Sequence, residues 1–330
     1  MSTRNSRGLA MTLVILSAIL AILISVPVVE HVSTNAEEQY RDSWTKVQEN
    51  FLFEDRLDDW DKHKDPPGNL KTMDDAHQAI DTMLKGLNDK YTRYYTAPQN
   101  VTRKQRAVKV NVVSWQMLPD NVGYIKITTF SSENTAKEVE KAMEALNKAG
   151  AKGYVIDLRN NGGGLVNQAF STFALFNDKG EYESHHGRKD GKTFTDRSVL
   201  TETAMVEYTD GRISESRSRP ANLSGDKPVT ILVNGNTASA SEAFAGAMRY
   251  HRKAILVGSQ TFGKGIMQRT YGLDGGTAIK ITVAYIFQPD GNCIHGVGMT
   301  PDQEIVKSKK TDNQMTEAVD IIVDKINSVH

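Results

Sequence analysis

Gly153-Tyr-Val-Ile-Asp-Leu-Arg-Asn-Asn-Gly-Gly-Gly164 joins an unbroken apolar strand to three consecutive glycines. An apolar run without polar alternation reads as a strand covered on both faces. Glycines strip side chains from the loop that follows, so its backbone N–H groups can approach a ligand closely. Working outward, Thr135 to Ala149 carries Val139, Ala142, Met143 and Leu146 on one helical face, and Gly150 ends that helix. A second helix is expected around Gln168 to Phe176. Val229-Thr-Ile-Leu-Val233 before a helix at Ser241 to Arg249, and then Ala254 to Gly258, repeat the pattern. Strands alternating with helices predict an α/β layered sheet whose site lies at the C-terminal ends of the strands.

Further out the periodicity changes. Val108, Val110 and Val112 alternate, Leu118-Pro-Asp-Asn-Val122 turns, and Gly123 to Phe130 reads as a second strand, so a hairpin opens this core. Upstream, Tyr40, Trp44, Val47 and Phe51 recur at helical spacing, Asp65-Pro-Pro-Gly68 breaks the chain, and Thr72 caps a helix carrying Ala76, Ile80, Met83, Leu84 and Leu87. These segments predict a small helical module over residues 37–100 ahead of an α/β core over 101–330. The polar segment Asp178 to Lys227 is expected to form β-hairpins or a surface excursion, one able to cover a site. An amphipathic helix, Asn313 to Ser328, closes the chain.

Composition excludes several classes. Lys+Arg and Asp+Glu balance at 40 each over 330 residues, so no long-range field favours nucleic acid, and no nucleic-acid partner is expected. A single cysteine, Cys293, precludes an intrachain disulfide, and none of His185, His186, His251 and His295 is read as having metal-ligand spacing to another histidine or an acid, so neither metal nor cofactor is expected. At the N-terminus, Arg4 and Arg7 precede the uncharged run Leu9 to Val29, whose 21 residues would make a helix about 31 Å long. Residues 1–36 therefore read as a signal peptide or a membrane anchor, which sends the remainder across a membrane.

Chemistry concentrates in Asn234-Gly-Asn-Thr-Ala-Ser-Ala-Ser-Glu242 and Thr261-Phe-Gly-Lys-Gly265. A serine hydroxyl needs a base to become a nucleophile, and a lysine amine kept neutral by burial can serve. Ser239 and Lys264 are the candidate pair, with Ala238 and Ala240 leaving room around the hydroxyl. From the residues alone, a helix-capping serine and a surface lysine between two glycines remain open and are the readings favoured. A phosphate loop does not fit, because no Gly-Lys-Ser/Thr ends the glycine run and no G-x-G-x-x-G spacing occurs. Asp157 and Arg159 read as structural ions that pin the glycine loop.

These motifs, with Gly296-Val-Gly-Met-Thr-Pro-Asp302 and Asp89-Lys-Tyr-Thr-Arg-Tyr-Tyr-Thr-Ala-Pro98, resemble the C-terminal processing peptidases, also called tail-specific proteases. The resemblance implies a crotonase-like α/β core and serine endopeptidase activity near the C-termini of extracytoplasmic protein or peptide substrates. It places the nucleophile on Ser239, the lysine base on Lys264, 25 residues later, and the amide that orients the lysine on Gln268. The implied oxyanion donors are the N–H groups of Gly163, or of its neighbour Gly164, and of Ala240. Three positions depart from the pattern. About a dozen residues separate Pro98 from the first core strand, where the family usually inserts a peptide-binding PDZ domain. Gly162 stands where many members carry proline, and Tyr250 where some carry aspartate. The missing PDZ domain implies a separate adaptor for substrate delivery, and it motivates an alternative: a catalytically silent protein of the same fold that holds a peptide or other ligand.

Overall fold

The computed structural model describes residues 35–106, 111–251 and 253–328. Helix α1 (Ala36–Asn50) starts where the Asn35 side chain accepts from the Glu37 N–H, with Glu37 and Glu38 at the positive end of its dipole. After the Pro-Pro break, helix α2 (Met73–Lys85) opens with a complete capping box between Thr72 and Asp75. Strand β1 (Arg93–Tyr95) and helix α3 (Ala97–Arg106) follow.

The expected hairpin is β2 (Val113–Leu118) and β3 (Val122–Ile127), paired antiparallel. Val108 and Val110, expected in its first strand, lie outside the described residues. Next come α4 (Thr135–Lys148), β4 (Gly153–Asp157) and α5 (Val166–Ala174). The polar segment is a four-stranded meander: β5 (Gly180–Lys189), β6 (Lys192–Leu200), β7 (Ala204–Thr209) and β8 (Arg212–Ser218). Then follow β9 (Val229–Val233), α6 (Ala240–Tyr250), β10 (Ala254–Gly258), β11 (Ile266–Gly272), β12 (Ala278–Phe287), β13 (Gln303–Glu304) and α7 (Asn313–Asn327).

Two sheets result. One has the strand order β13-β10-β9-β4-β3-β2 and is parallel except for β2. Its central strands β4 and β9 are buried along their whole length. Residues of α4, α5 and α6, such as Met143, Phe170 and Phe244, cover one face, while Ala318 and Ile322 of α7 cover the other. This is the physical reason their sequences are continuously apolar. The second sheet is antiparallel, order β1-β12-β5-β6-β7-β8, with β11 also paired to β12. The fold is therefore α/β with mixed sheets, where the sequence predicted a single one. β12 is the surface on which the N-terminal helices pack: Ile279, Ile281 and Val283 share a core with Tyr40, Val47, Ile80 and Leu87.

The apolar run Leu9 to Val29 lies outside the described residues, and among those described no helix is long and apolar enough to cross a membrane. An N-terminal membrane segment thus remains an expectation of the sequence.

Candidate active site

Three loops meet beyond the C-terminal ends of β4 and β9: the glycine loop, the loop leading to Ser239, and the loop before β11. Backbone-directed hydrogen bonds lace them together. Thr237 Oγ1 donates to the Leu158 carbonyl (2.9 Å), the Ala238 N–H to the Asn161 carbonyl (3.0 Å), and the Phe262 N–H to the Thr237 carbonyl (3.0 Å). Buried Asn161 also ties the glycine loop to β3 by donating from Nδ2 to the Ile127 carbonyl (2.9 Å). Gly163 has φ +89°, and a Cβ there would sit 2.6 Å from the Ala238 oxygen and 2.9 Å from the Ala240 nitrogen. Only glycine lets these two loops touch.

Ser239 caps α6 with φ 59° and ψ −126°, a backbone conformation that costs a non-glycine residue about 1–3 kcal/mol and persists only where the surroundings enforce it. The enforcing group is Glu242, fully buried one turn into α6. Its Oε2 accepts from the Ser239 N–H (2.8 Å) and from the Lys264 N–H (2.9 Å). Its Oε1 accepts from the Gly263 N–H (2.8 Å) and from the Thr261 hydroxyl. One carboxylate thus fixes the backbones of Ser239 and Lys264 relative to each other. The Ala240 N–H, first in α6, has no backbone acceptor among the described residues, as expected of a helix N-terminus, and it adds to the positive end of that dipole beside Ser239.

Ser239 and Lys264 line one cavity of about 630 Å³, with Gly162, Gly163, Gly164 and Gln268. No residue of the segment from Asp178 to Lys227 lines it. No histidine lines it either, among the described residues. Burial, reinforced by the Arg93 charge, holds the Lys264 amine below the ordinary lysine range, against the pull of Asp89 and Glu242. The amine lies 5.0 Å from the Tyr91 ring centroid, a cation–π distance. The N-terminal region therefore furnishes part of the site through Asp89, Tyr91 and Arg93.

Two expected contacts take a different form. The Gly163 N–H is occupied, donating to Asn161 Oδ1 at 3.0 Å in an Asx-turn. Gln268, at an irregularity in β11, donates from Nε2 to the Ile266 carbonyl (3.4 Å) and the Thr282 hydroxyl (3.5 Å), and no hydrogen bond joins it to Lys264. Asp157 and Arg159 form the loop pin the sequence suggested. Asp157 accepts from the Arg159 side chain (2.9 and 3.0 Å), from Tyr124 (2.8 Å) and from Lys126 (3.2 Å).

Sequence reasoning left Glu242 without a role, although Ser-x-x-Glu at a helix start is a capping-box signature that ties the two residues together. It also passed over Arg103 and Lys280, which line the same cavity. Lys280 was detectable as a lone cation in the strand Ala-Ile-Lys-Ile-Thr-Val-Ala-Tyr-Ile-Phe, since unpaired lysines are rarely buried. Burial and the neighbouring Lys264, Arg93 and Arg103 push its amine down to about 8.

Comparison with known proteins gives this geometry a context. The chain is 38% identical over 198 residues to the carboxy-terminal processing protease CtpA of Bacillus subtilis, covering 60% of this chain and 38% of that protein. It is 34% identical over 230 residues to the carboxyl-terminal-processing protease of Synechocystis, covering 68% of this chain and 48% of that one. The chain thus spans less than half the length of these curated relatives. Among solved structures, the photosystem II D1 C-terminal processing protease shares the fold with a TM-score of 0.62 at 20% identity, over 82% of this chain and 93% of that one. A lipoprotein from Streptococcus agalactiae does so with a TM-score of 0.63 at 15% identity, over 88% and 97%. Residues 121–305, more than half of the sequence and inclusive of the glycine loop, Ser239, Glu242 and Lys264, match peptidase family S41, and the chain belongs to that family.

Proposed function

We propose that this chain is a serine endopeptidase with a Ser239–Lys264 dyad, acting on extracytoplasmic protein substrates near their C-termini. The observation that carries the reading is the single Glu242 carboxylate binding the Ser239 and Lys264 backbones together at the rim of one cavity. The names of the curated relatives, proteases that process carboxy-termini, agree with it. In this reading Lys264, whose amine burial holds below the ordinary lysine range, takes the proton in its deprotonated form as Ser239 Oγ attacks the scissile carbonyl. The developing oxyanion is met by the Ala240 N–H at the start of α6 and by the glycine loop. Since the Gly163 N–H serves Asn161 in the resting geometry, Gly164 in the cavity wall is the loop donor at hand, and Gly163 joins only if that turn opens. Lys264 then returns the proton to the leaving amine, and water releases the acyl-enzyme. The Gln268 amide nitrogen is anchored to Ile266 and Thr282, which leaves its carbonyl oxygen to orient the lysine amine once substrate excludes water. Residues 1–36 would export or tether the chain, and a separate adaptor would supply the delivery that a PDZ domain provides elsewhere in the family.

The test is hydrolysis of an unstructured protein by the full chain, by Ser239→Ala and by Lys264→Arg. Arginine keeps the charge but does not deprotonate, so both variants should lose at least about a thousandfold in kcat/KM. For the wild type, kcat/KM should rise with pH as the lysine loses its proton, below the ordinary lysine value of about 10.4. Equal cleavage by all three proteins would reject the dyad.

A further inference from the structure

The cavity that holds Ser239 is walled by three basic side chains, Arg103, Lys264 and Lys280, and among the described residues by no acid. The cations come from three separate elements: α3, the loop before β11, and β12. Arg93 on β1 stands in register beside Lys280 and adds a fourth charge. Among the described residues none of the four forms an ion pair. Arg103 donates only to the neutral Asn100 Oδ1 (2.9 and 3.3 Å) and lies over the Tyr95 ring, 5.7 Å from its centroid. The neighbouring acid, Asp89, already accepts from the Tyr91 and Thr92 N–H groups and from the Thr92 and Thr282 hydroxyls. These basic groups share a partly desolvated space with no acid in ion-pair contact, and burial first, then the Lys264, Arg93 and Arg103 charges, lower the Lys280 amine against the pull of Asp89.

Resting on the peptidase reading above, we propose that Arg103 and Lys280 form a receptor for a carboxylate of the bound peptide. It would be either the C-terminal α-carboxylate or an Asp or Glu side chain near the scissile bond. The site adjoins the nucleophile, so its anion must arrive on the molecule that Ser239 attacks. The cavity also presents apolar Leu165, Val166 and Ile286 for the rest of a peptide. A guanidinium offers the planar fork that a carboxylate fits, and a lysine adds a point charge. A receptor for the α-carboxylate would select ends of chains at the active site itself, and one for a side chain would select acidic sequence there.

Three peptides of one sequence test this: one with a free C-terminus, one amidated, and one amidated with a penultimate glutamate. Hydrolysis is measured with the full chain, and binding by fluorescence anisotropy with full-length Ser239→Ala. Carboxylate-bearing peptides should be favoured about tenfold or more over the plain amide in both assays. Lys280→Gln and Arg103→Gln should each bring that ratio toward one, while Lys280→Arg keeps it. The two positions lie on different elements, so the second variant still reads out if the first fails to fold. A preference for the free acid alone assigns the α-carboxylate, and equal preference for the glutamate peptide assigns a side chain. Equal treatment of all three peptides by the unsubstituted pocket, or a ratio that survives both glutamine variants, would overturn the receptor. Carboxylate-selective binding without hydrolysis would overturn the dyad and leave the receptor standing; hydrolysis without selectivity would do the reverse.

Discussion

Two charge clusters flank the parallel sheet's loops, and they are built on opposite rules. In the first, buried Asp157 is ringed by Arg159, Lys126 and Tyr124, and Arg159 continues to Asp312 at the start of α7 (2.7 Å). Every charge there has a partner, and the cluster does mechanical work: it fixes the strand end from which the glycine loop departs. In the second, Arg103, Lys264 and Lys280 surround a cavity with no acid in its wall among the described residues. A paired cluster holds a shape, whereas an unpaired one holds a place for a ligand or keeps an amine neutral.

Asp157→Asn is the strongest way to break the first half of that contrast. It leaves Arg159 and Lys126 short of their central anion, and stability to denaturant should fall by about 3–5 kcal/mol. Burial alone would raise the Asp157 carboxyl, but hydrogen bonds and charge from Arg159, with the Lys126 charge, hold it below the usual carboxylate range. A depressed carboxyl contributes stability that is present above the unfolded value of about 3.9 and lost as pH falls through the folded one. The gap between wild type and variant should therefore be full at pH 7 and shrink below about pH 4. A gap that stayed constant down to pH 2 would show that the loss comes from packing and not from charge.

The sequence disclosed the paired cluster more readily than the unpaired one, and the reason is locality. Asp157 and Arg159 are two residues apart at the end of an apolar run, and the strands β4 and β9 announce themselves because both faces are covered. The Thr72–Asp75 capping box is equally local. The second sheet is not: its β1 pairs with β12, joining Arg93 to Lys280 across most of the chain, and strand periodicity carries no record of the partner. For the same reason the cavity's cations were invisible as a group. At the site, Ser239 and Lys264 were proposed from their motifs, while nothing in the sequence signalled that Asn161, two residues before Gly163, turns its side chain onto that N–H.

Glu242 sharpens the contrast from a third side, since it is a buried carboxylate held by four donors and no paired cation. Glu242→Gln replaces one oxygen by an NH₂ group and sets donor against donor, either at the Ser239 and Lys264 N–H groups or at the Gly263 N–H and the Thr261 hydroxyl. We expect a loss of about 2–3 kcal/mol in denaturant stability, together with a fall of about a hundredfold in kcat from misplacement of the dyad. If kcat held while stability fell, Glu242 would be a helix cap and nothing more.

The smallest effect has the opposite sign. Lys280 is depressed to about 8 by burial and then by its cationic neighbours, so the folded state disfavours its charge. A lysine depressed on folding destabilises fully below the folded value, and the penalty disappears above the unfolded value of about 10.4. Removing the charge with Lys280→Gln should therefore stabilise the chain at pH 7 by about 1–2 kcal/mol, discounted for partial solvent screening. The gain should fade between pH 8 and about 10.4, as denaturant midpoints across that range would show. Stability gained together with lost carboxylate selectivity is what a binding group held against its own repulsion would give. A variant less stable at every pH would place Lys280 with the paired charges, held by contacts and not by function.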